Sequence, residues 1–461
     1  MATPAVTVVL IVHNTAPWLA ECIRSIAGQT LRDFEVVVVD VASDLATKMV
    51  LLRHAWSLPG VRPIVKRHNI GGAAAANLGI RAARGRYVFL MDSDDVLPPD
   101  ALAALHRAAR QDDLDIAIGR ALSVVNGKPT RMRYSADLVT WSRPLVTDEL
   151  RAHPELTMAP YYWGRLYRRS LLLRDDVFMQ PGRMYADRYF TCKALRSSRR
   201  TGVIPQLTYL WRRDRGDDSH GLSITQRTHS LELLDDRIAG FRDTESLFAA
   251  ERDRSLLLYV RRANLMRLFI HAKHVADDPD FRAGFVASAG PYAASFGLDE
   301  VASAPFLLAR HKVQWYLTAH GRGDDLAEFL TRASSVPEPR TDGGATVYDY
   351  GRIVAGLPPE LCAEPQRRLG ALPARLVTAG DRPALAVDVS RTPDGVSYQP
   401  LCVVVRGRTL ADDRRIALGP RAHIDGEIVV PSFDDSAGSS KLAFEYLAAG
   451  RVCRAPITIE E

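Results

Sequence analysis

The run Tyr87-Val88-Phe89-Leu90-Met91-Asp92-Ser93-Asp94-Asp95 sets three carboxylates at the end of five consecutive apolar residues. An apolar run of that length reads as a strand buried on both faces of a mostly parallel sheet. Ligands of open α/β sheets sit beyond the carboxyl ends of such strands. Three aspartates there repel one another unless a cation or a satisfied hydrogen-bond network neutralises them. Hard oxygen ligands on a small open site suit Mg²⁺ or Mn²⁺, with bound phosphates completing the coordination. The plainer alternative is that Asp94 and Asp95 cap a following helix, although Pro98-Pro99-Asp100-Ala101-Leu102 supplies a helix start of its own.

The elements that must hold this cluster can be read around it. Val6 to Val12 is an apolar strand running into His13-Asn14, followed by an amphipathic helix with Trp18, Leu19, Cys22, Ile23 and Ile26 at helical spacing. Phe34 to Asp40 is a second buried strand ending in an acid. Asn69-Ile70-Gly71-Gly72 leads into a small-residue helix that Gly85 breaks just before the acidic strand. Strand, helix, strand, helix, strand at this spacing predicts a doubly wound α/β sheet.

Several ordered motifs in this stretch resemble the inverting family 2 glycosyltransferases of GT-A fold. They are Asn14, Gln29-Thr30, the Phe34-to-Asp40 strand, Asn69-x-Gly71, Ala75-Ala76-Asn77-x-Gly79, Gly85-x-Tyr87 and Leu90-x-Asp92-Ser93-Asp94-Asp95. The resemblance continues through Tyr162-Trp163-Gly164-Arg165-Leu166-Tyr167 and Gly182-Arg183-Met184-Tyr185-Ala186-Asp187-Arg188-Tyr189-Phe190, covering about the first 225 residues. It implies a nucleotide-sugar donor held by Ile11, His13, Asn14, Asp40, Val41, Asn69, Ala76, Asn77, Asp92 and Ser93. Asp94 would be the direct ligand of Mn²⁺ or Mg²⁺, with His220 closing over the metal and diphosphate. Asp187 would be the catalytic base, which typically contributes about 10²–10⁴-fold. The bland readings are a helix cap for Asp187 and a surface residue for His220.

Three departures from the family pattern bear on the donor. The second strand ends Asp40-Val41 where a second acid accepts the N3 hydrogen of uracil. Ala76 replaces an arginine facing the base and diphosphate, and Ala186 replaces the glutamate that precedes the base. Without substitutes, uridine in the usual pose loses on the order of tenfold to a hundredfold in affinity. The alternatives are an altered donor pocket or a degenerate, non-catalytic glycan- or partner-binding member of the same fold.

The rest of the chain suggests three domains: 1–225 catalytic, 226–335 a helical linker, and 345–461 a module of short alternating strands expected to form an antiparallel β-sandwich. This layout resembles enzymes that glycosylate the polyol-phosphate teichoic acids of Gram-positive walls. It implies an anionic cell-envelope polymer as acceptor and homo-oligomerisation through the terminal module. Basic residues cluster from Arg196 to Arg215, so Arg212, Arg213 and Arg215 are candidate acceptor or phosphate contacts.

Composition sets outer limits. Sixty basic residues against 54 acidic give a net charge of +6. No apolar run approaches the roughly 18 residues that span a bilayer. The first residues pass almost directly into a core strand, without the basic flank and cleavage site of a signal peptide. Five scattered cysteines lack metal-type spacing and fit a reducing compartment. The expected location is the cytoplasm or the inner face of the membrane. Nucleic acid is not an expected partner, because no basic module with interleaved aromatics is present.

Overall fold

The computed structural model describes residues 3–130, 132, 141, 144–213, 227–304, 306–335, 340–342, 345–365, 372–379, 382–388, 398–405, 414–417, 423–424, 427–431, 442–448 and 451–459. They divide into two compact units, one within 1–133, 144–226 and 239–260, the other within 134–143, 227–238 and 261–461. One of these divisions, between residues 226 and 227, lies beside the expected boundary near 225, and none lies near 335.

The first unit is built on a sheet whose early strands alternate with helices: β1 (Val6–Val12), α1 (Ala16–Ala27), β2 (Phe34–Val41), α2 (Leu45–His54), β3 (Arg62–Lys66), α3 (Gly72–Ala82), β4 (Tyr87–Asp92) and α4 (Ala101–Gln111). Then come β5 (Ile116–Val125), β6 (Lys128–Thr130), β7 (Leu145–Thr147), β8 (Arg165–Arg168), α5 (Arg169–Arg174), α6 (Ala186–Ser197) and β9 (Thr201–Arg212). The order across the sheet is β3-β2-β1-β4-β8-β5-β9-β7, with β6 pairing β5. The first four strands are mutually parallel, in register Val12↔Asp40 and Ile11↔Asp92. β8 then enters antiparallel between β4 and β5. The sheet is thus mixed rather than parallel throughout, because a chain segment after residue 144 returns to fill the place that a fifth parallel strand would take.

Continuous burial of β1, β2 and β4 explains their apolar runs. Gly85 marks a tight passage beneath them. A Cβ there would lie 2.5 Å from the Thr7 amide nitrogen and 2.7 Å from the Val6 carbonyl carbon, backbone atoms that cannot swing aside. Gly85→Ala is expected to destabilise the fold by about 1–3 kcal/mol, read as a lower chemical-denaturation midpoint; an unchanged midpoint would show that this entry into β4 is free to shift.

Helices Leu231–Ser246, Arg254–Leu268, Pro279–Ala293, Leu298–Ala302, Ala309–Ala319 and Gly323–Arg332 match the helical periodicity expected after Ser230. Arg340–Asp342, Ala345–Val347 and Ala363–Pro365 make a three-stranded antiparallel sheet. Beyond it lie eight strands, including Leu372–Ala379, His423–Ile424 and Arg451–Ile459, which the alternation pattern did not reveal. They are not purely antiparallel. The last strand pairs antiparallel with Leu442–Ala448 up to Pro456, then runs parallel to Leu372–Ala379 from Ile457. A long strand that changes partners leaves no turn signal in the sequence.

Candidate active site

The parallel strands β1, β2 and β4 deliver their carboxyl ends to one edge of the sheet, and short side-chain bonds knit the loops that leave them. Asp40, buried, accepts the Ser43 N–H at 3.0 Å. Asn14 accepts the Asp44 N–H at 2.8 Å, and Asp44 in turn caps α2 by accepting the Thr47 N–H. Asn14 and Ala42 both have left-handed backbones, with φ of 52° and 55°. Asparagine tolerates that geometry, whereas alanine carries strain of roughly 1–2 kcal/mol. The loop after β2 is therefore held in shape by the contacts around it.

The acidic run turns out to be differentiated. Asp95 is buried, and its two oxygens accept the Tyr209 hydroxyl at 2.6 Å and the Arg212 backbone N–H at 2.7 Å. Burial pushes its pKa well up, and the Asp94 and Asp92 charges add to that rise. Arg212 also donates through Nε to the Asp94 carbonyl and through Nη2 to Glu21 at 2.7 Å. Ser93 exchanges a 2.8 Å hydrogen bond with Thr15, tying the cluster to the start of α1. Asp95 is thus engaged by the end of β9. Neither Asp94 nor Asp95 caps a following helix: Asp100 holds the cap position of α4.

Asp92 has a partner that sequence spacing did not single out. The Tyr162 hydroxyl donates to Asp92 Oδ1 at 2.5 Å. Burial raises the Tyr162 pKa, and the Asp92 and then Asp187 charges raise it further, so the phenol stays protonated and donates to Asp92. Asp187 lies half-buried in the first turn of α6, its Oδ1 accepting the Arg188 N–H at 2.8 Å. It is not the cap, a position taken by Tyr185. A helix N-terminus favours the anionic form of such a carboxylate. α6 is anchored by buried Arg188, which donates to the Thr157 and Val260 carbonyls, and by Cys192 packing with Phe248, Leu256 and Val260.

Beside Tyr162, an aromatic stack crosses from the segment before β8 to β9. Trp163 lies face to face with Tyr161 at 4.3 Å and with Tyr209 at 4.5 Å between ring centroids, and Trp211 flanks it at 5.9 Å. Tyr209 and Trp211 share a strand face through their period of two. That alternation, and three aromatics in a row ahead of Gly164, were the available signals for this wall.

The expected donor residues separate into two sets. His13 and Asn69 are exposed and meet at 3.1 Å, and Asn69 accepts the Gly71 N–H in a turn whose φ of 78° requires glycine. Ile11, Val41 and Ala76 are buried apolar positions. Asn77 is buried too, and its amide bonds both the N–H and the carbonyl of Met179, which makes it a clamp on that loop. The basic cluster does not act as one strip, since β9 separates Arg199 from Arg212 by some 12 residues, roughly 40 Å of strand. Arg196 and Arg199 instead face Asp253 and Asp115. Arg212 is engaged as described, and the Arg213 guanidinium sits over Trp211 at 5.4 Å. His220 and Arg215 lie outside the described residues.

The family model described as "Glycosyl transferase family 2" matches residues 7–174. "Uncharacterized glycosyltransferase EpsJ" of Bacillus subtilis (strain 168) is 28% identical over 221 residues, 45% of this chain and 61% of that protein. The "Poly(ribitol-phosphate) beta-glucosyltransferase" of Bacillus spizizenii is 23% identical over 244 residues, 52% of this chain and 37% of that protein. Less than two thirds of either relative is thus spanned. The crystal structure of S. aureus TarS 1-349 in complex with UDP-GlcNAc superposes with a TM-score of 0.59 at 16% identity, over 77% of this chain and 98% of that one. At that identity the likeness is one of fold: it is GT-A-like, as the resemblance implied, with a mixed sheet in place of the mostly parallel one expected.

Proposed function

We propose that this chain, whose residues 7–174 belong to glycosyl transferase family 2, moves a sugar from a nucleotide diphosphate to a hydroxyl of an anionic cell-envelope polymer, a polyol-phosphate chain of the teichoic acid kind, with inversion. The observation that carries the reading is Tyr162, which hydrogen-bonds Asp92 while responding to the charge of Asp187. One phenol is therefore bonded to the carboxylate assigned to the donor and lies within the electrostatic reach of the one assigned to the acceptor.

In this reaction the acceptor oxygen attacks the anomeric carbon while its proton passes to Asp187, and the bond to the diphosphate oxygen breaks on the opposite face. Asp92 and Ser93 orient the donor, and His13 with Asn69 forms an exposed polar edge against which a base can stack. Among the described residues no group of three or more His, Cys, Asp or Glu side chains is disposed to hold a metal. Asp92 and Asp94 alone suit Mg²⁺ or Mn²⁺, ions commonly held by one or two carboxylates together with substrate phosphates. When bound, such an ion neutralises charge on the leaving diphosphate.

The buried Val41 and Ala76 offer no polar contact to a uracil in the family pose. They favour a donor read by other groups, and they also support a second reading, a protein that binds glycans without transferring them. Thermal-shift screening of UDP-, CDP-, GDP- and dTDP-sugars with Mn²⁺, followed by transfer assays on poly(ribitol phosphate), separates the two. Stabilisation of about 2.7 kcal/mol at 100 times the dissociation constant, with turnover, supports the enzyme. Stabilisation without turnover on any polyol phosphate supports the second reading.

Tyr162→Phe removes a hydrogen bond to a carboxylate, worth about 1.5–3 kcal/mol. Metal-dependent donor affinity is expected to fall roughly tenfold by calorimetry, and an unchanged affinity would detach Tyr162 from the site. The strand-rich module from 345 to 461 is assigned to self-association. Linked active sites raise the effective concentration of a repetitive acceptor. Light scattering on the full chain should find an oligomer such as a trimer.

A further inference from the structure

Eight large apolar side chains are exposed among the described residues, and five of them, Leu45, Met49, Leu52, Trp56 and Val65, fall between residues 45 and 65. Leu45, Met49 and Leu52 stand at i, i+4 and i+7 of α2, and Trp56 continues the spacing in the short turn Ala55–Ser57 that follows. They are 74%, 58%, 65% and 80% exposed, one continuous stripe on the outer side of the helix. The inner side is already occupied. Buried Thr47 accepts the Ala16 N–H with its hydroxyl, and half-buried Val50, Leu51 and His54 share that side. A helix that is apolar on both sides has two partners, and α1 is only one of them.

Charge indicates the other. At 100° per residue, Lys48 and Arg53 fall on either flank of the stripe, and both are exposed. β3, the sheet edge that follows, leads into Lys66-Arg67-His68. The sole acid between residues 44 and 68 is Asp44, which is committed to capping α2. We propose that α2 and the Trp56 turn form a docking surface for an anionic lipid bilayer. An apolar stripe flanked by cations is the pattern by which a helix lies in a membrane interface, with tryptophan at the headgroup level and long cationic side chains reaching anionic lipid. A second copy of the chain fits less well, because a self-complementary contact would set these cations against cations. Docking here also orients the candidate site. The loop that starts α2 is bonded to Asn14 and Asp40 at the carboxyl ends of β1 and β2, so those strand ends would be held close to the lipid surface.

The test uses the full chain, vesicles and no activity, so it is independent of the transferase reading. The protein should float with vesicles of phosphatidylcholine and phosphatidylglycerol, not with phosphatidylcholine alone, and should dissociate as salt is raised. Leu52→Glu combined with Trp56→Glu should weaken binding about tenfold or more with little change in the melting transition, as these side chains are 65% and 80% exposed. Lys48→Glu combined with Arg53→Glu should weaken it without touching the stripe. Wild-type protein that ignores anionic vesicles, or binding that survives both pairs of substitutions, overturns the proposal. So does self-association in sedimentation velocity that the Leu52 and Trp56 substitutions abolish, if vesicles are not bound, since the stripe would then be an interface between copies.

Discussion

Asp187→Asn should lower the turnover of sugar transfer by about a hundredfold or more while donor affinity stays close to wild type. The substitution keeps the shape of the side chain and its bond to the Arg188 N–H, but removes the acceptor for the attacking hydroxyl's proton. Loss of a general base costs roughly 10²–10⁴-fold in rate. A change confined to kcat, with KM for the donor unmoved, is the signature of an interaction made in the transition state. The fold should tolerate the change, because α6 is anchored by Arg188 and the Cys192 cluster rather than by Asp187. If donor binding fell and turnover at saturation did not, Asp187 would be a support for the helix start, and the base would have to be sought elsewhere.

Asp94→Asn should abolish the dependence of donor binding on Mn²⁺ or Mg²⁺ and leave the melting temperature of the ligand-free protein near the wild-type value. Asp95 lies in the same buried cluster, and its pKa is raised first by burial and then by the charges of Asp94 and Asp92. Neutralising Asp94 relieves that repulsion, so no stability is lost with it. What is lost is the carboxylate assigned to the cation, distinct from Asp95, which is engaged by Tyr209 and Arg212. Titration calorimetry with nucleotide sugar, with and without Mn²⁺, checks this directly. Equal metal-dependent affinity in mutant and wild type would remove Asp94 from the metal assignment.

The place of Asp94 was legible in the sequence for a physical reason, whereas Asp187 was named only through the family resemblance. An apolar run such as Tyr87 to Met91 has to be buried, and a buried parallel strand has to end at the ligand edge, so the acids that follow it have little choice of place. The same holds for Asp40 and Asn14 after their strands. Gly71, with its positive φ, and Asp100 at the head of α4 sit where local rules put them. The parallel pairing of Leu372 with Ile457 and the entry of β8 between β4 and β5 had no local rule behind them.

By itself, then, the sequence determined the alternation of strand and helix, the sheet edge that gathers the carboxylates, and the family the opening segment resembles. All of these follow from burial and backbone preference within some tens of residues. Only the tertiary structure decided how the acids divide their work. Tyr162 reaches Asp92 across 70 positions, and Tyr209 and Arg212 reach Asp95 across 114 and 117. It also decided that Asn77 clamps Met179, and that the apolar residues of α2 are left facing solvent. Side-chain partners at such separations are set by the order and register of the strands that carry them, and periodicity within a segment holds no record of that order.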